Sequence, residues 1–234
     1  MSGVLQGLVL RERGRKAKCT FRRDIKDCPV WGPLFASPAT LDGMSHTELA
    51  LTLVAQNGGA HDVLVDSSKT AWRSIGVPFR LPRELGQDFK LVHLVRDPRA
   101  VSWSAVKKAK RRGARPLLAM RCALTAAGWW IANLGCERFG QNYPGRYLRL
   151  RYEDLAHSPM RDLFAKLLPG SEWRADEIGG SNTRHQLYGN RMRPASLSLA
   201  EVKEEAGWHR DMPDSVRALV ALLTASLRWR YGYD

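Results

Sequence analysis

Arg96, Asp97, Pro98 and Arg99 interrupt a run of branched apolar residues, LVHLV at 91–95, and hydroxyls follow at Ser102 and Ser104. An arginine at the tip of a strand offers a planar, permanently charged fork that suits carboxylate or phosphate. Asp97 is a good N-cap and Pro98 fits the first helical position, so a helix is expected to start there with Asp97, Val101 and Ser104 along one face. Arginine and serine could then close on one phosphate from two sides through charge-assisted hydrogen bonds. The same residues also suit a surface Arg–Asp pair followed by an ordinary helical serine.

The elements that must position these groups alternate in type. HDVLVD at 61–66, KLVHLV at 90–95 and RYLRLRY at 146–152 read as strands, with helices near 45–57 and 116–139, after Ser158-Pro159, and from Asp211 to about Arg230. That order predicts an α/β domain over 1–234 with a largely parallel sheet and helices on its faces. If residues 90–95 form an interior parallel strand, Arg96 emerges at its carboxyl end, where open α/β sheets bind ligands. Residues 170–198, rich in Gly, Ser, Asn and Arg, read as a loop of the kind that carries function.

Charge narrows the class of partner. Lys and Arg number 37 against 23 Asp and Glu, a net charge of +14, which points to an anion such as a nucleotide, nucleic acid, glycan or lipid head group. The four cysteines, Cys19, Cys28, Cys122 and Cys136, are too few and too unevenly spaced for a disulfide framework, so a cytoplasmic protein is expected. The opening MSGVLQGLVLRERG does not read as a signal peptide, and CALTAAGWWIANLGC is too short for a membrane span. No residue cluster calls for a metal, and Cys19 with Cys28 suits packing better than zinc.

Arg96-Asp97-Pro98-Arg99 with Ser104 after an apolar strand resembles the 3'-phosphate-binding motif of sulfotransferases that use 3'-phosphoadenosine-5'-phosphosulfate. Asp66-Ser67-Ser68-Lys69, RYLRLRYEDL at 146–155 and HQLYGNRMR at 185–193 match that family in the same order, and Cys28-Pro29-Val30-Trp31 is similar to its bacterial carbohydrate-type members. The resemblance implies a P-loop-like three-layer α/β/α fold. It also implies Arg96 and Ser104 as 3'-phosphate ligands, with Arg193 as a second clamp, and Gly189 and Asn190 suit a turn that presents backbone amides to phosphate. Lys69 would neutralise charge on the bridging oxygen as the sulfuryl group departs; Asp66 and Ser67 equally suit a plain turn that caps backbone amides. His185 is a candidate catalytic group or a hydrogen-bonded structural histidine. Trp208 after Gly207 fits both the family's late tryptophan and ordinary core packing.

The family opens with a strand and a Gly- and Ser-rich loop that grips the 5'-phosphosulfate. No such strand–loop–helix precedes residue 60 here, and an acidic base is not evident near Gly7, so low activity is expected of the chain as written. The implied reaction is transfer of a sulfuryl group from the nucleotide to a hydroxyl, favouring a glycan or glycolipid acceptor. An alternative is a non-catalytic polyanion or nucleic-acid binder built on KKAKRRGAR at 107–115, which lacks aromatics for base stacking. A P-loop kinase is a third, without a GxxxxGK[ST] loop to support it.

Overall fold

The computed structural model describes Cys19, residues 23–35, 75–76, 78–84, 89–111, 113, 117–155, 160–169 and 207–234, and single positions at 44, 48, 51, 52, 55 and 56. The chain divides into two units, Met1–Ser68 with Arg174–Ser198 and Lys69–Trp173 with Leu199–Asp234. The expected strand at 61–66, the start at Ser158-Pro159 and the loop at 170–198 lie outside the described residues.

In the first unit a 3-10 turn, Ile25–Asp27, leads through Cys28 to a one-turn helix, α1 (Gly32–Phe35). Cys19, Ile25, Cys28, Leu34 and Phe35 form its buried cluster. Burial raises the Cys28 thiol above its ordinary pKa, so the cysteine packs there as a small apolar group. The described positions from 48 to 56 are helical, within the span expected, and Thr52 Oγ1 donates to the Glu48 carbonyl at 2.7 Å.

The second unit begins with a single helical turn, α2 (Leu81–Glu84), and the strand β1 (Leu91–Val95), followed by helices α3 (Pro98–Arg111) and α4 (Leu118–Asn142) and the strand β2 (Tyr147–Arg151). β1 and β2 pair in parallel, Leu91 opposite Tyr147 and Val95 opposite Arg151, so the connection crosses over through two helices. This small parallel sheet with helices is compatible with the α/β expectation. Alternation along β1 buries His93 and Val95 and leaves Val92 and Leu94 exposed.

α3 and α4 pack as a hairpin, with Ala100, Trp103 and Val106 against Cys122 and Ala126. Trp208, Met212, Val216 and Val220 complete that cluster, so Trp208 is a core residue. Further along α4, Phe139 is wholly buried with the rings of Phe79, Phe89 and Tyr143 around it, at centroid separations of 5.9, 6.0 and 5.0 Å. The next residue must be small: a Cβ on Gly140 would lie 2.7 Å from the Tyr147 ring. Gly140→Ala is therefore expected to cost about 1–3 kcal/mol by forcing that ring aside. Chemical denaturation of the variant checks it.

After β2 come α5 (Tyr152–Leu155), α6 (Met160–Leu167), α7 (Trp208–Asp211), α8 (Asp214–Leu223) and α9 (Ala225–Arg230). The helix expected to open at Asp211 instead ends there. Pro213 lacks the N–H that a continuing helix needs, α8 starts at Asp214, and Arg217 pairs with Asp214 one turn on. A second break falls at Thr224, whose buried hydroxyl bonds back to the Val220 carbonyl at 2.7 Å. α9 closes in a Schellman motif: Gly232, at φ 73°, donates to the Trp229 carbonyl and Tyr233 to that of Arg228. The left-handed turn suits glycine. It folds Tyr233 back so that its carbonyl accepts from Arg228 Nη1 at 2.6 Å.

Candidate functional site

Arg96 and Asp97 form the turn between the carboxyl end of β1 and the start of α3, and neighbours hold both faces of that turn. Trp129 Nε1 donates to the Arg96 carbonyl at 3.0 Å, and the Asp97 amide donates to Glu153 Oε1 at 3.1 Å. Glu153 is fixed in turn by the Tyr233 hydroxyl, which donates to Oε2 at 2.6 Å. Burial and the Glu153 carboxylate push the Tyr233 phenol well above its usual range, so the proton stays on tyrosine. None of these three supports was legible around the motif itself; YED directly after the second strand was the one signal for Glu153.

Asp97 is the expected N-cap. Its Oδ1 accepts from the Arg99 amide at 2.7 Å, and its carbonyl accepts the first helical bond, from Val101, at 3.0 Å. The Arg99 guanidinium doubles back on the same carboxylate, Nη2 to Oδ2 at 2.7 Å, and lies over the Trp208 ring at 4.8 Å. The two arginines thus have different surroundings. Arg99 clamps the buried cap, whereas the half-buried Arg96 stacks its guanidinium on Tyr152 at 4.7 Å from the ring centre.

Ser104 lies half-buried in α3, about 9 Å of helical rise beyond Pro98. Ser102 is fully buried, and among the described residues its hydroxyl has no hydrogen-bond partner. Lys69, His185, Gly189, Asn190 and Arg193 lie outside the described residues, so of the expected site the structure describes Arg96 and Ser104. Of the basic run at 107–115, Lys108, Lys110 and Arg111 occupy the last turn of α3, where cations complement the helix dipole. Lys110 also lies 5.8 Å from the Trp103 ring centre.

A second polar constellation sits beneath the sheet and was not anticipated. His93 bonds through Nδ1 to the Tyr147 hydroxyl at 2.6 Å and through Nε2 to Asn133 Oδ1 at 2.7 Å. Asn133 spends its amide donor on the Trp129 carbonyl at 2.6 Å, so its Oδ1 must accept. Nε2 therefore carries the proton, and Nδ1 accepts from Tyr147. Burial holds the imidazole below its ordinary pKa, Arg149 adds to that, and Asn133 opposes it. Burial likewise pushes Tyr147 up to about 12.

A neutral buried histidine has a defined signature in stability. Above the ordinary value of 6.5 its contribution is fully present; as pH falls below 6.5 the unfolded chain takes up a proton that the folded chain refuses. Stability should then fall by up to about 1.4 kcal/mol per pH unit until the folded pKa is reached. Urea unfolding between pH 7.5 and 5.5, beside a His93→Gln variant with a shallower slope, checks it.

A hollow of about 320 Å³, lined by Phe89, Lys90, Tyr143, Pro144, Gly145 and Arg146, lies at the amino ends of both strands, away from Arg96. Comparisons with protein-family models, with curated proteins and with solved structures returned no match to this chain.

Proposed function

We propose that the chain is a sulfotransferase that uses 3'-phosphoadenosine-5'-phosphosulfate, built on a P-loop-like three-layer α/β/α fold, with a hydroxyl of a cytoplasmic carbohydrate or glycoconjugate as acceptor. The observation that carries the reading is the strand–turn–helix at 91–111. A parallel strand runs into Arg96, a capped helix begins at once, and Ser104 follows two turns along. A permanently charged fork beside a helix start is suited to a phosphate monoester.

In this reading Arg96 and Ser104 hold the 3'-phosphate, with Arg193, Gly189 and Asn190 as a second clamp. The acceptor oxygen attacks sulfur in line, the bond from sulfur to the bridging oxygen breaks with its electron pair passing to the leaving phosphate, and Lys69 steadies that charge. The acceptor proton leaves to a base, for which His185 is the candidate. His93 is not, since both its ring nitrogens are engaged in the buried network.

Calorimetric titration with adenosine 3',5'-bisphosphate tests the reading. Saturable binding at least about tenfold tighter than that of adenosine 5'-phosphate is expected, since the second ligand lacks the group that Arg96 and Ser104 hold. Equal affinities, or none from folded protein, would overturn it. Binding that instead tracks salt and ignores the 3'-phosphate would favour the polyanion binder.

A further inference from the structure

α4 is apolar on two opposite sides. One side, with Cys122, Ala126, Trp129 and Asn133, is buried within the unit. The other carries Leu117, just before the helix, then Met120, Leu124, Ala127, Ile131 and Leu134. These recur at alternating spacings of three and four residues, the spacing of a helix–helix seam. Five of them stand open: Leu117 is 69% exposed, Met120 55%, Leu124 66%, Ile131 42% and Leu134 40%. An apolar helix face is ordinarily covered. A continuous apolar stripe about 26 Å long is also more than a monomer usually leaves in water.

We infer that this stripe is a homodimer seam, on which α4 of a second copy lies antiparallel across a two-fold axis near residues 125–126. The spacing selects a straight helix as the occupant, and the side chains select this helix. Antiparallel pairing sets Leu117 against Leu134, Met120 against Ile131 and Leu124 against Ala127, so that a large residue meets a small one at the centre. It also separates like charge. α3 ends in Lys108, Lys110 and Arg111 beside the start of α4, and antiparallel packing holds the two basic ends about 26 Å apart, whereas parallel packing would set them together. Beside the stripe, Trp130 donates to Ser226 of α9 at 3.1 Å, and Trp229 of that helix is 66% exposed.

Sedimentation equilibrium of the full chain tests the seam independently of the proposed activity. Twice the chain mass is expected at micromolar concentration, with Leu124→Glu weakening the dimer by about a hundredfold through burial of two unpaired carboxylates. Circular dichroism should show that variant folded, since Leu124 is exposed in the single chain. Met120→Glu provides a second disruption should Leu124→Glu misfold. For orientation, Leu117→Cys with Leu134→Cys should cross-link two chains on oxidation, whereas Leu117→Cys alone should not. A monomeric wild type, a dimer indifferent to both glutamates, or cross-linking by Leu117→Cys alone would overturn the inference.

Discussion

Alanine in place of Arg96 is expected to weaken adenosine 3',5'-bisphosphate binding by about a hundredfold or more, the usual effect of removing one partner from a charge-assisted, partly desolvated pair. The backbone at the strand tip should keep its anchor. The Arg96 side chain is half-buried on one face of Tyr152, while its carbonyl, which Trp129 holds, survives the substitution. Arg96→Lys should recover a small part of the affinity, because an ammonium restores charge and not the fork. Titration calorimetry beside thermal melts separates the effects: unchanged affinity would remove Arg96 from the proposed cofactor site, and a large fall in melting temperature would make it structural.

The neighbouring arginine should behave in the opposite way. Arg99→Ala removes the cation that closes on Asp97, a side chain with 9% exposure, and among the described residues leaves one amide hydrogen bond for a buried carboxylate. A loss of about 3 kcal/mol in unfolding free energy is expected, from an unpaired charge rather than from the contact alone. Asp97→Asn in the Arg99→Ala background should return part of it, since the amide oxygen still caps α3 and no charge remains to be desolvated. Urea denaturation of the single and double variants measures the recovery, and none would mean that Asp97 is better solvated than its geometry implies.

Much of this local arrangement was legible in the sequence, for local reasons. A branched apolar run names β1, and Asp-Pro names the start of α3, because propensity and capping act within a few residues. Asp211 misled because Asp-Met-Pro-Asp sets an acidic residue on each side of a proline: the first closes α7, whereas Pro213 takes the N-cap position of α8 and Asp214 opens its first turn. Trp129, Glu153 and Tyr233 converge on the strand tip from three distant segments, and composition carries no trace of such a meeting. His93 was hidden among the apolar residues of its strand, where only the strand pairing, which sets Tyr147 opposite Leu91 and so diagonal to His93, and the reach of Asn133 explain how a polar ring is accommodated.

The parallel pairing of β1 with β2 also bears on the order of events in folding. Leu91 meets Tyr147 across a connection that holds both α3 and α4, so the strand pair must overcome the entropy of a long closure before its hydrogen bonds contribute. The α3–α4 hairpin, joined by a short connection, can collapse early on Trp103, Val106 and Cys122. Substitutions in that hairpin should slow refolding, whereas substitutions between the strands should chiefly hasten unfolding. The segment that presents Arg96 would then be shaped last, by a strand that docks onto helices already in place.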